Sequence, residues 1–233
     1  KTTVIAHVGA NSTVESVRLA KHASDLGVDA VSSIPCVYYG FSPEAVKQHW
    51  LAMIEASDKP FIIYHIPQTT RFNLPISLFE EMAKLDKVIG IKCSSESTFE
   101  LQQFKYVGEQ VKNGEFLVFN GPDEQFVAGR MIGADAGIGG TYGVMPELFL
   151  KLDELMKKNE LEKARELQNK VNDIIVGLLS GPSLYGVTKY ILHLRGIETG
   201  EPRLPMLPVR TKEDIELCVR LDKLINETIN KYC

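Results

Sequence analysis

Residues 88–120 read Val88-Ile-Gly-Ile-Lys-Cys-Ser-Ser-Glu-Ser-Thr-Phe-Glu-Leu-Gln-Gln-Phe-Lys-Tyr-Val-Gly-Glu-Gln-Val-Lys-Asn-Gly-Glu-Phe-Leu-Val-Phe-Asn120. The apolar run 88–92 predicts a strand, residues 98–107 a helix and 116–120 the next strand. The same alternation extends to both sides. Upstream, residues 4–8 predict a strand ended by Gly9-Ala-Asn11. Ser12-Thr-Val-Glu15 has the form of a capping box, and Leu19, Ala20, Ala23 and Leu26 give the following helix an apolar stripe that ends at Gly27. Residues 30–34 predict a strand, Ser42-Pro43 opens a helix towards Ala56, and residues 61–64 predict a third strand. A loop over 67–73 precedes a helix carrying Leu78, Phe79 and Met82. Downstream, Pro122 opens a helix to Ile132, and residues 136–139 form a sixth strand-like run. Six β-α repeats of roughly 30 residues imply a parallel sheet covered by helices. The sheet is either open and doubly wound or part of a (β/α)8 barrel. After Pro146 the pattern becomes purely helical, over 147–157, 161–179, 183–193 and 211–231, with a second capping box at Thr211-Lys-Glu-Asp214. The α/β class is therefore joined to a C-terminal helical extension.

The chain has 233 residues, 44% hydrophobic and 24% charged, an ordinary globular composition that excludes disordered and fibrous classes. Lys plus Arg is 26 against 30 for Asp plus Glu, a net charge of −4. A mildly acidic chain lacks the basic footprint of a nucleic-acid binder. No apolar run approaches the length of a membrane span. Cys36, Cys93, Cys218 and Cys233 are too scattered for a disulfide framework, and no His/Cys spacing suits a metal. The opening Lys1-Thr-Thr-Val-Ile-Ala-His7 does not read as a leader peptide. The expectation is a reduced, cytoplasmic protein with no membrane or nucleic-acid partner and no metal site.

Residues at the carboxyl ends of parallel strands face the ligand site in both closures. Lys92 ends one such strand. A lysine at such a position, near aromatic and apolar neighbours, can become a nucleophilic amine that forms a Schiff base. A strand-end lysine can equally snorkel to solvent. Tyr64 ends another strand, where a phenol can relay protons or simply fill the core. In Asn120-Gly-Pro-Asp-Glu124, Gly121 allows close backbone approach. Asp123 and Glu124 can accept hydrogen bonds from a polyhydroxylated ligand or complement a helix dipole. Gly137-Ile-Gly-Gly-Thr-Tyr142 is a glycine-rich strand end with backbone N–H groups suited to an anion, although it matches no nucleotide fingerprint. Trp50 and the methionines read as core. The five histidines read as structural, with His65 alone expected near the site.

Together, Tyr64-His-Ile-Pro67, Gly90-Ile-Lys92, Asn120-Gly-Pro-Asp-Glu124 and Gly133-Ala-Asp-Ala-Gly-Ile-Gly-Gly-Thr-Tyr142 resemble the N-acetylneuraminate lyase/dihydrodipicolinate synthase family of class I aldolases. Ile5-Ala-His-Val-Gly9, with Ser12-Thr13 and Glu15-Ser16, is similar to the lyase branch. The resemblance covers essentially the whole chain. It implies a (β/α)8 barrel with a three-helix C-terminal extension and a homotetramer. Lys92 would form the Schiff base with pyruvate or another 2-oxo acid, and Tyr64 would donate and accept the proton. Ser94, Gly121, Asp123, Glu124 and Gly140 fall at sugar-binding positions, and Tyr38 or Tyr39 where the family places aromatics near the site.

Three departures accompany the resemblance. It makes the first strand here the third of the barrel, so that residues 1–145 hold strands three to eight and residues 146–233 hold the last barrel helix and the extension. The first two β-α units, roughly 60–70 residues, and their Gly-Ser-Thr-Gly-Glu type loop lie outside this sequence, which implies part of a longer protein. Gly140 stands where many lyases carry serine, and Ser94 where threonine is common. Thr69 occupies the position of an arginine usual in the synthases, with Arg71 displaced by two. The implied activity is reversible cleavage of sialic acid to N-acetylmannosamine and pyruvate. Alternatives are an aldolase or dehydratase acting on a 2-keto-3-deoxy sugar acid, the synthase itself, and a non-catalytic sugar-acid-binding paralogue.

Overall fold

The computed structural model describes residues 2–233. Six strands form one parallel sheet in sequential order: β1 (Ile5–His7), β2 (Ala30–Ser33), β3 (Phe61–His65), β4 (Val88–Cys93), β5 (Leu117–Asn120) and β6 (Ala136–Gly137). A doubly wound sheet reverses its strand order at a switch point. This sheet adds each strand beside the last, which is not the doubly wound order but a TIM-barrel-like one. Helices α1 (Thr13–Asp25), α2 (Pro43–Ala56), α3 (Pro67–Thr70), α4 (Ile76–Ala83) and α5 (Thr98–Val111) connect the first five strands. They are followed by α6 (Phe126–Met131), α7 (Pro146–Lys157), α8 (Leu161–Leu179), α9 (Leu184–Leu194) and α10 (Lys212–Tyr232). Among the described residues no single helix is long and apolar enough to cross a membrane.

By packing, the chain divides into two compact units. One comprises residues 2–122 with Ile132–Gly137, the other Asp123–Met131 with Ile138–Cys233. The boundary expected from the sequence at 145/146 follows element type instead.

In the first unit, strand alternation sorts the sheet into two faces. Val31, Phe61, Ile63, Ile91, Cys93 and Val118 all lie on the face that packs with the helices and are fully buried. Phe79 anchors that layer, with its ring 4.8 Å from Phe104 and 5.4 Å from Phe116. Trp50, on the α2 stripe, is buried as the sequence predicts. In the second unit, Leu148, Leu152, Leu167, Val171, Ile174, Leu178, Ile191 and Ile225 form a separate core at helical spacing from α7, α8, α9 and α10.

Several boundaries differ from expectation for local reasons. The 67–73 segment contains one helical turn, α3. Pro67 takes a first-turn position, the Thr70 hydroxyl donates to the Ile66 carbonyl at 2.9 Å, and Arg71 ends the turn in the left-handed region at φ 54°. The helix expected from Pro122 starts as a tight 3₁₀ turn, Asp123–Gln125, before α6. The Ser12 cap is half a capping box. Its hydroxyl accepts from the Glu15 N–H, but the Glu15 carboxylate turns to Arg18 at 2.9 Å. At Thr211 both halves form.

Burial holds the His49 and His65 imidazoles below the ordinary histidine pKa, against a raising influence of Glu100 on His65. The unfolded chain therefore takes up these protons more readily than the native state. Stability should be full above about pH 6.5 and fall as pH drops through the depressed native values. Urea unfolding at pH 7.5 and 5.5 should show a lower midpoint at pH 5.5. Equal midpoints would contradict neutral burial.

Candidate active site

Parallel register decides which side chains share the face opposite the helices. Tyr64 on β3 pairs with Lys92 on β4, which in turn pairs with Phe119 on β5. The Lys92 Nζ lies 3.0 Å from the Tyr64 hydroxyl and 4.2 Å from the centroid of the same ring. Both side chains are half-buried. An amine and a phenol at this distance can exchange a proton directly. The arrangement can therefore pair a nucleophilic amine with a general acid–base partner in reach.

The first unit brings a histidine to this pair, and it is His7 rather than His65. His65 follows Tyr64 by one residue, so alternation turns it to the helix face. There it is 2% exposed, against the Phe104 ring and 3.5 Å from the Glu100 carboxylate. His7 ends β1, and its ring stands edge-on to Tyr64 at 6.0 Å between centroids. Burial, and then the charge of Lys92, push its pKa below the usual imidazole range.

Ser94 and Gly121 continue the ladder beyond β4 and β5. The Ser94 N–H donates to the His65 carbonyl at 2.7 Å, and the Gly121 N–H to the Cys93 carbonyl at 2.8 Å. A Cβ at Gly121 would stand 2.0 Å from the Ser94 Oγ and 2.6 Å from its Cα, so only glycine lets the two segments approach. One residue before Ser94, the Cys93 thiol is buried and pushed up to about 12 by desolvation, which leaves it inert beside the lysine.

The second unit holds Asp123, Glu124 and Gly140, whereas Tyr38 and Tyr39 belong to the first. Asp123 is 5% exposed and its Oδ2 accepts from the Thr141 N–H at 2.8 Å and from the Thr141 hydroxyl at 2.5 Å. A Cβ at Gly139 would collide with the same carboxylate at 1.5 Å. Asp123 therefore ties down the glycine-rich segment 139–141. Glu124 is exposed, and its carbonyl accepts from Asn172 at 3.1 Å. Gln168 donates to the Asp123 carbonyl at 3.2 Å and accepts from the Val127 N–H at 3.0 Å, fixing the 3₁₀ turn to α8. Gly140 is exposed, and a Cβ there would stand 3.2 Å from the Tyr185 hydroxyl. The Tyr142 hydroxyl is buried, and desolvation with Asp123 and Glu124 raises its pKa. Tyr38 and Tyr39 are 82% and 69% exposed and meet edge-on at 4.8 Å. Among the described residues no hydrogen bond or ring contact joins them to Lys92 or Tyr64, and no cluster of His, Cys, Asp and Glu could hold a metal.

Sequence reading missed Thr141, Gln168 and His7. The spacing carries no signal for Thr141 or Gln168, which meet Asp123 across a turn and a helix. For His7 the signal was present, since it ends an apolar strand as Tyr64 and Lys92 do. Thr141→Val removes a hydroxyl donor from the buried Asp123 carboxylate and should cost about 1–3 kcal/mol. Denaturant unfolding measures this, and an unchanged midpoint would show that the contact carries no stability.

The profile of the Dihydrodipicolinate synthetase family matches residues 1–224. N-acetylneuraminate lyase of Mediterraneibacter gnavus is 43% identical over 235 aligned residues, covering 100% of this chain and 73% of the relative. N-acetylneuraminate lyase 2 of Escherichia coli O6:H1 is 33% identical, covering 97% of this chain and 72% of the relative. The structure of wild-type Ruminococcus gnavus sialic acid aldolase superposes with a TM-score of 0.94 at 43% identity, over 100% of this chain and 77% of that one. With an unbroken family match, a TIM-barrel-like parallel sheet, C-terminal helices and a lysine and tyrosine paired at strand ends, this chain belongs to the dihydrodipicolinate synthetase family.

Proposed function

We propose that this protein is a sialic acid aldolase that cleaves N-acetylneuraminate reversibly to N-acetylmannosamine and pyruvate through a Schiff base on Lys92. The observation that carries the reading is the 3.0 Å contact between the Lys92 amine and the Tyr64 hydroxyl. Support comes from the 43% identity to a lyase along the full chain. In this reading the six strands are the third to eighth of a (β/α)8 barrel, residues 1–145 are its barrel portion and residues 146–233 its last helix and extension. The protein acts in the cytoplasm as a homotetramer, with no cofactor.

The chemistry follows from the two side chains. The unprotonated Lys92 amine attacks C2 of the open-chain sugar, and loss of water gives an iminium. The Tyr64 hydroxyl supplies the proton with which that water leaves, and the resulting phenolate then takes the proton of the C4 hydroxyl, assisted by the substrate carboxylate. The C3–C4 bond then breaks, and its electron pair moves to C3, where the iminium accepts it as an enamine. C4 leaves as the aldehyde of N-acetylmannosamine. A proton returned through Tyr64 converts the enamine carbon to a methyl group, and hydrolysis releases pyruvate and free Lys92. A base at this position typically contributes about 10²–10⁴-fold.

Ser94, Gly121, Asp123, Glu124 and Gly140 serve the sugar half of the substrate. Glu124 is the exposed acceptor for hydroxyls, whereas Asp123 shapes the loop that presents Gly140. A site built around hydroxyl acceptors discriminates strongly against substrates that lack them.

Pyruvate with borohydride should modify Lys92 covalently, detected by peptide mass spectrometry, and Lys92→Ala should abolish the adduct. An adduct that persists in Lys92→Ala would overturn the assignment. Tyr64→Phe should lower turnover by about 10²–10⁴-fold while reducing adduct formation far less. Unchanged turnover would make the phenol mere packing. Glu124→Gln should lower kcat/KM for sialic acid and spare the pyruvate adduct, and an equal loss in both would remove its specificity role.

A further inference from the structure

We infer that His7 is a positioning residue for the Lys92–Tyr64 pair: its neutral imidazole holds the Tyr64 ring edge-on so that the phenol stays against the lysine amine. The inference rests on the aldolase reading for its kinetic consequence, but the contact itself stands on geometry.

Three features fix the imidazole. The Ile34 N–H donates to the His7 Nε2 at 3.3 Å, so that nitrogen carries the lone pair and, in the neutral ring, Nδ1 carries the hydrogen. A Cβ at Gly9 would stand 2.8 Å from the His7 Cε1 and 3.1 Å from its Nε2. The missing side chain two residues along is therefore what leaves the ring its place. The ring then meets Tyr64 at 87° and 6.0 Å, within the range of favourable edge-to-face aromatic pairs.

The electrostatics agree with this geometry. Protonation of His7 would take away the acceptor of the Ile34 N–H and add a second positive charge near Lys92. Desolvation, and then the charge of Lys92, hold the His7 pKa below the usual value, although the residue is exposed at the end of β1. The ring is thus a packing surface with one fixed tautomer, beside a phenol that must hold its hydroxyl 3.0 Å from the reacting amine. Without that wall Tyr64 can rotate away, and a misplacement of about 1 Å at a reacting group can cost on the order of 10²-fold.

The test compares His7→Ala with His7→Phe, which keeps an aromatic edge but cannot be protonated or accept from Ile34. Two readouts are needed: the rate of borohydride-trapped adduct formation with pyruvate, and the ¹⁹F resonance of Tyr64 in fluorotyrosine-labelled protein, assigned by its loss in Tyr64→Phe. His7→Ala should slow adduct formation by about 10–10²-fold and move the Tyr64 resonance towards that of free fluorotyrosine. His7→Phe should restore both. Wild-type behaviour in His7→Ala would overturn the inference, and so would equal losses in the two variants. If the wild-type protein forms no adduct, the aldolase reading fails, and an unmoved ¹⁹F resonance in His7→Ala then overturns the contact as well. If His7→Ala does not fold, His7→Gln takes its place with the same expectation.

Discussion

The contact between the Lys92 amine and the Tyr64 hydroxyl depends on parallel pairing in one register. Tyr64 and Lys92 are 28 residues apart, and only the alignment of β3 with β4 makes them neighbours. A slip of one residue would turn Tyr64 to the helix face and bring His65 to the reactive one. The buried layer of Phe61, Ile63, Ile91 and Val118 prevents that slip, because it would expose those residues and bury polar ones. The hydrophobic core therefore sets the chemistry as well as the stability of the first unit.

Close backbone approach is the second constraint. Gly121 lies against Ser94, and Gly139 against the Asp123 carboxylate, at distances no side chain allows. At Gly139 the space is occupied by the buried Asp123 carboxyl, whose Oδ2 accepts from the Thr141 N–H and hydroxyl. A buried carboxylate is tolerated when charge-assisted hydrogen bonds replace its water. The acidic loop thus divides its two carboxylates: Asp123 ties down the glycine-rich segment, and Glu124 stands exposed.

Much of this was legible in the sequence, for identifiable reasons. Strands and helices could be read because apolar runs of four or five residues alternate with amphipathic stretches, and Lys92 and Tyr64 because each ends such a run. His7 ends one too. Its neighbour, however, is set by pairing through β1, β2 and β3, and one strand cannot reveal that. His65 was misplaced because its face depends on alternation from Tyr64, and a sequence motif gives adjacency without direction. Asp123 at the start of a helix looks like a dipole complement, since Thr141, which buries it, comes 18 residues later across a strand.

In the proposed reaction, carbon–carbon cleavage must leave an enamine on Lys92. Cleavage of N-acetylneuraminate by the protein in D₂O, followed by ¹H NMR and mass spectrometry, tests this most directly. The account predicts N-acetylmannosamine and pyruvate in equal amounts, with deuterium entering the pyruvate methyl group as each molecule is released. Pyruvate formed without deuterium in its methyl group, or no cleavage at all, would contradict it.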